Sequence, residues 1–194
     1  MAAVSVGDCL FIAMRGQGNI YATSISDSVG NTYTLVGQTT SGNTASLFYS
    51  VITTAITTST TITANLSGTN VSSAIFGASF RNVDPRNPIG STATGSFTSQ
   101  TSITITSATA NRHGSMLLSV PTVNDGTFPT VTSGSITRVA TTITAQNWMH
   151  FGYRQNDNLT GYSITYQRAA GTAGNWGYVM AEINRAPSDM FATF

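Results

Sequence analysis

Apolar and polar positions alternate with period two in several short stretches of the chain, the spacing of half-buried β-strands. Thr32-Tyr-Thr-Leu-Val36 alternates, and residues 59–66 put Ile62, Ala64 and Leu66 on one face; residues 102–106 and 162–166 repeat the pattern. Between these runs sit turn clusters, including Asp27-Ser-Val-Gly-Asn31, Thr40-Ser-Gly-Asn43, Asn124-Asp-Gly126, Gln155-Asn-Asp-Asn158 and Ala170-Gly-Thr-Ala-Gly174. Gly, Asn and Asp supply positive φ or local side-chain hydrogen bonds at such places, and Asp125-Gly126 is a two-residue hairpin signal. Strong helix formers are scarce, with Glu182 the one glutamate and no lysine at all. Short strands at regular spacing predict an all-β fold, an antiparallel β-sandwich of jelly-roll-like type.

The order of elements occurs twice. The first half runs from Val6-Gly-Asp-Cys-Leu-Phe-Ile-Ala13 through Ser46-Leu-Phe-Tyr-Ser50 to Ala74-Ile-Phe-Gly-Ala-Ser-Phe80 and Pro85. The second runs from Arg112-His-Gly-Ser-Met-Leu-Leu-Ser-Val120 through Asn147-Trp-Met-His-Phe151 to Asn175-Trp-Gly-Tyr-Val-Met-Ala-Glu-Ile183 and Pro187. Both halves close on an aromatic-rich strand followed by a proline. An internal pseudo-repeat of about residues 4–85 and 112–187 follows, linked by 86–111. A few strands with one apolar face must be covered, so the halves are expected to make one domain over 1–187 with a shared core. The prolines and glycines of residues 86–96 speak against regular pairing there, and a strand is expected from Phe97 onward. Residues 188–194 form a C-terminal tail.

Composition narrows the function classes. The 194 residues are 40% hydrophobic but only 8% charged, with a formal net charge of +1. Serine and threonine together make up about 29%, far above ordinary usage. No basic stripe exists for nucleic acid, and no apolar run reaches the roughly 20 residues of a membrane-spanning helix. The N-terminus lacks a charged leader followed by a long apolar segment, so a cytosolic site of folding is expected, without a signal peptide. Cys9, among apolar neighbours, is read as a small buried hydrophobe.

Candidate chemistry is sparse. Asp8, Asp27, Asp84, Asp125, Asp157, Glu182 and Asp189 are scattered, and most fall in turns where an aspartate caps the backbone. No loop has the alternating oxygen ligands of a calcium-binding hand, and two histidines with one cysteine offer no zinc spacing. His150 is expected on the face of its strand that carries Trp148, opposite Met149. No Gly-x-Ser-x-Gly elbow is present, so no catalytic residue, cofactor or metal is assigned and the chain is read as non-enzymatic. The strand aromatics are read first as core. Tyr21, Tyr153, Tyr162 and Tyr166, which have polar sequence neighbours, are the candidates for stacking on a glycan. Met190, Phe191 and Phe194 give the tail an apolar content that a free end would not need, and they are the candidates for contact with a neighbouring subunit. Charge-poor, threonine-rich strands lack the Lys and Glu that keep sheet edges apart, which points to self-association.

The succession Ile25-Ser-Asp-Ser-Val-Gly-Asn-Thr-Tyr-Thr-Leu35, Leu47-Phe-Tyr-Ser50, Thr60-Thr-Ile-Thr63 and Gly77-Ala-Ser-Phe-Arg-Asn-Val-Asp-Pro85 resembles a β-sandwich module of bacteriophage virion proteins. In that module a D-x-x-G-N-x-Y motif is followed by an aromatic strand and a GVD-P-like end; Asn82 here departs from the usual glycine. The second half, with its Trp176 strand and Ala181-Glu-Ile-Asn-Arg-Ala-Pro187, resembles the downstream portion. The resemblance implies a virion component assembled in the host cytoplasm. It is first a capsid decoration or cement protein whose partners are the major capsid protein and its own copies. The alternative is a tail-fibre or receptor-binding module that holds a host glycan.

Overall fold

The computed structural model describes residues 2–69, 72–106, 114–124, 129–134, 137–144, 147–156, 162–168 and 173–187, with backbone alone for 137–144, 147 and 156. The described residues form antiparallel strands and no helix. Those of the first half are β1 (Cys9–Gly16), β2 (Ala22–Asp27), β3 (Thr34–Gln38), β4 (Thr44–Val51), β5 (Ile62–Leu66) and β6 (Ser73–Phe80). They are followed by β7 (Ile89–Gln100), β8 (Ser102–Thr106), β9 (Ser115–Val123), β10 (Thr130–Ser133), β11 (Thr137–Thr144), β12 (Asn147–Asn156), β13 (Ser163–Gln167) and β14 (Gly174–Ile183).

Strand order is β3-β4-β1-β6 in one sheet and β11-β12-β9-β14-β7 in another, with smaller sheets β2-β5 and β10-β13-β8. Raising each index of the first-half sheets by eight gives the second-half sheets, apart from β7 and β8. Alternation explains how the sheets stack. Cys9, Phe11 and Ala13 of β1 point into a core shared with Leu118 and Val120 of β9, Phe151 of β12, and Val179 and Ala181 of β14. Leu10, Ile12 and Met14, on the opposite face of β1, pack with Ala22 and Ile25 of β2 and with Ile62, Ala64 and Leu66 of β5. On the far side, Trp148, Trp176 and Met180 meet Ile103 and Ile105 of β8 and Ile164 and Tyr166 of β13. The molecule is therefore a four-layer stack, with each large sheet covered on both faces and each small sheet on one. Every residue of β1 is buried.

The all-β sandwich expected from the sequence is what forms: the two halves share a core, and each half also has a core of its own beneath its small outer sheet. One expectation needs correction. The stretch 86–96 is not an unpaired connector, because β7 begins at Ile89 and pairs with β14 along its length. Its glycines are what the pairing requires. Tyr178 stands directly opposite Gly95 and lies over it, so that a Cβ there would meet the tyrosine ring at 2.7 Å. At Gly90 the space a Cβ would take is filled by the Glu182 carboxylate, which accepts a hydrogen bond from the Ser91 amide (3.1 Å). Glycine weakens a strand by itself, but a cross-strand aromatic over an edge glycine restores the packing. The expected strands at 32–36, 59–66 and 162–166 correspond to β3, β5 and β13 with shifted ends, and that at 102–106 to β8 with the same ends, while the Asp125-Gly126 turn lies outside the described residues.

Truncating Phe11, fully buried in the shared core, should cost about 3–5 kcal/mol, the range for a buried Phe→Ala cavity. Denaturant unfolding of Phe11→Ala would measure this.

Candidate functional site

The motif that carried the resemblance is a turn held by the Asp27 carboxylate. Asp27 ends β2, and its Oδ1 accepts hydrogen bonds from the amides of Val29 (3.0 Å), Gly30 (2.7 Å) and Asn31 (3.0 Å). Its Oδ2 accepts from Asn31 Nδ2 and Tyr33 Oη, both at 2.9 Å. Gly30 has φ 86°, a left-handed conformation that glycine adopts without steric cost. Asn31 carries the turn across to the segment after β4. Its Nδ2 donates to the Thr54 carbonyl, and its Oδ1 accepts from the amides of Thr53 and Thr54, each at 2.9 Å. Burial raises the Asp27 carboxyl, but the hydrogen bonds from Asn31, Tyr33 and Val29 outweigh it and hold the group below the usual carboxylate range. Tyr33 is pushed upward by burial and by Asp27. The polar groups of these four motif residues are taken up by one another and by the backbone of Thr53 and Thr54, so the turn is structural.

A second polar constellation lies where the two halves meet. A cleft of about 280 Å³ is lined by Gln17, Asn19, Asn43, Asn124 and Asn175, with Gly18 and Gly42. The side chains come from the β1–β2 and β3–β4 loops of the first half and from the ends of β9 and β14 in the second. Several are tied to the backbone: Asn43 Nδ2 donates to the Asn175 carbonyl (2.9 Å), and Asn124 Oδ1 accepts from the Asn175 amide (2.9 Å). Asn19 Oδ1 accepts from the Gly42 amide at 3.1 Å. Beneath them Arg15 is fully buried; its Nη2 donates to Asn43 Oδ1 (3.3 Å) and its Nη1 to Ser72. Burial pulls the guanidinium down to about 10, so it stays charged near neutral pH. The lining is neutral and rich in both donors and acceptors. It can hold a neutral polyhydroxylated group, but it offers no nucleophile or general base.

The four candidate tyrosines do not form one platform. Tyr166 is fully buried in the second-half core, in contact with the rings of Trp148 and His150. It is therefore not a surface for a sugar. Tyr153 packs edge-on against Phe80 at the shared core (5.5 Å between centroids). Tyr162 is half-buried, with the Arg154 guanidinium 4.1 Å from its ring centre. Tyr21 is half-buried at the start of β2, in the other half of the molecule. His150 does share a face with Trp148, as alternation required, their ring centres 5.7 Å apart. Asp8 and Asp84 cap turns through the amides of Ser5 and of Arg86 with Asn87. Cys9 is buried, and burial pushes its thiol up to about 12. Met190, Phe191 and Phe194 lie outside the described residues.

Sequence reasoning missed Arg15, Asn43, Asn175 and the buried Glu182. For Arg15 one signal existed, a lone charge continuing the apolar run Cys9-Leu-Phe-Ile-Ala-Met14. Among the described residues no group of three His, Cys, Asp or Glu comes together. Comparison with protein families, with curated proteins and with solved structures returns no match.

The Asp27 turn has a pH signature. Its carboxyl is depressed in the fold, so on acidification the unfolded chain takes up the proton first. The stability it contributes is present above the ordinary carboxylate value, near pH 4, and is lost as pH falls through the lower folded value. In thermal melts from pH 7 to pH 2, Asp27→Asn should be less stable than the parent at neutral pH. The gap between the two should close below about pH 4.

Proposed function

We propose that this chain is a non-enzymatic structural component of a bacteriophage particle, a decoration protein that bridges neighbouring subunits on the outside of the capsid. The observation that carries the reading is the chemistry of the two outer layers. On the first-half side, Thr23, Ser24, Thr63 and Asn65 are exposed, and Asn65 donates to Ser24 at 2.9 Å. On the opposite side, Thr104 pairs with Thr165 (2.9 Å) and Thr106 with Ser163 (3.0 Å). These exposed strand positions carry hydroxyls and amides and no charge. Such groups can exchange water for a partner's polar groups without the cost of desolvating an ion, and many weak contacts add up on a repetitive lattice.

We read the two halves as copies of one six-strand unit, because strand order repeats; this gives the molecule two chemically similar faces pointing in opposite directions. The proposed partners are the major capsid protein and other copies of this chain, with assembly in the host cytoplasm and residence in the virion. Neither nucleic acid, membrane nor cofactor enters the reading.

A second reading rests on the amide-lined cleft. Its Asn and Gln side chains suit the hydroxyls of a glycan, which would make the chain a receptor-binding module of the tail.

The two readings separate by stoichiometry in purified particles divided into heads and tails. Hundreds of copies in the head fraction are expected for decoration, a handful in the tail fraction for receptor binding, and absence from both overturns the two together. For decoration, Thr63→Lys with Thr104→Lys should abolish attachment to heads while changing stability by less than about 1 kcal/mol per site.

A further inference from the structure

The amide cleft between the halves has a polarity that its residue types alone do not reveal. Each of its asparagines has its side-chain oxygen engaged inside the protein. Asn19 Oδ1 accepts from the Gly42 amide (3.1 Å), Asn124 Oδ1 from the Asn175 amide (2.9 Å) and Asn175 Oδ1 from the Ser99 amide (3.2 Å). A backbone N–H can only donate, so these bonds fix which end of each carboxamide is the oxygen. Asn43 Oδ1 takes Arg15 Nη2, and its Nδ2 is spent on the Asn175 carbonyl. What remains for a ligand is donors: the Nδ2 groups of Asn19, Asn124 and Asn175 have no acceptor among the described residues.

Charge adds to this bias. Arg15 is fully buried, and its partners are the neutral Asn43 carboxamide and Ser72, while its Nε has no acceptor. No carboxylate lines the cleft among the described residues. A buried guanidinium without a carboxylate is an uncompensated charge, and it stands one side chain, Asn43, away from the cleft. An anion placed there is attracted through a medium of lower dielectric than water. No aromatic side chain lines the cleft among the described residues either, so a sugar ring has no stacking surface and polar contacts decide what binds.

We propose that this cleft binds the carboxylate of an acidic sugar, a uronic or sialic acid residue of a glycan. The inference rests on the receptor-binding reading and narrows its ligand from any hydroxylated group to an anionic one. An ionised carboxylate only accepts, and its two oxygens offer about four lone-pair sites. That suits Nδ2 donors supplied by a loop of one half (Asn19) and by strand ends of the other (Asn124 and Asn175). Hydrogen bonds to an ionised acceptor are roughly twice as strong as neutral ones, so the same donors favour the acid over its neutral counterpart. Exposed Gln17, whose carboxamide has no partner among the described residues, provides both a donor and an acceptor for hydroxyls of the same ring. At about 280 Å³ the cleft lies at the small end of ligand pockets, which run from about 300 to 1,000 Å³, and suits a single ring.

Titration of the full chain, followed by the NMR shifts of the Gly42, Asn124 and Asn175 amides, tests it. The probes are the methyl glycosides of glucuronic acid and N-acetylneuraminic acid, methyl glucoside as the neutral counterpart, and N-acetylaspartate amide as a mimic of an acidic protein side chain. At least one acidic glycoside should bind at least about tenfold more tightly than methyl glucoside and the aspartate probe. Equal binding of acidic and neutral sugars overturns the acidic class and leaves the receptor-binding reading standing. Aspartate binding as tight as the acidic sugars would make the ligand a protein, and binding of no probe would leave the cleft without this role; either overturns the proposal. The receptor-binding reading itself is decided separately, by copy number in tails. Asn19→Asp and Asn124→Asp keep the oxygen that accepts from the Gly42 or Asn175 amide and replace the free NH2 by a second oxygen. Each should retain the parent's melting temperature and weaken the acidic sugar at least about tenfold. Unchanged affinity in either variant overturns the proposal.

Discussion

Both faces of the two inner sheets are apolar, and a sheet with two apolar faces has to be covered twice. β1 sets this condition for the first half, with Phe11 on one face and Leu10 and Ile12 on the other. In the second half, Val179 and Ala181 of β14 face one way and Trp176 and Met180 the other. One cover for each inner sheet comes from its own half, as a short sheet with a single apolar face. The other cover is the inner sheet of the opposite half. Neither half can satisfy its central strands alone, and the four-layer stack is the arrangement that satisfies both.

Most of this was legible where alternation is clean. Ile62, Ala64 and Leu66 read as one face and pack as one face, and Trp148 with His150 did likewise. Tyr166 was misread through its polar neighbours Thr165 and Gln167, although alternation places it with Ile164 on the buried side. β7 was hidden because Pro88, Gly90 and Gly95 are local signs of an irregular segment. The features that make it a strand, Tyr178 and Glu182, lie more than eighty residues away. The amide cleft was illegible for the same reason. Asn43 and Asn175 are each ordinary turn residues, and only the packing of the halves brings them to 2.9 Å.

In the run Asp27-Ser-Val-Gly-Asn-Thr-Tyr33 the polar groups are tied chiefly to one another. One carboxylate satisfies three amides, a carboxamide and a phenol, so each residue of the motif depends on the others. The buried Arg15 works in a related way at the joint between halves. Its charge is held by neutral acceptors, and its neighbour Asn43 in turn binds the second half through Asn175.

The doubly covered inner sheets also impose an order of events on the growing chain. Synthesis runs from the N-terminus, and domains form as their residues emerge. The outer core of the first half needs only residues before about 66, so it can form early. The shared core can close only once residues of both halves exist, because it draws on β1 and β4 from one half and on β9, β12 and β14 from the other.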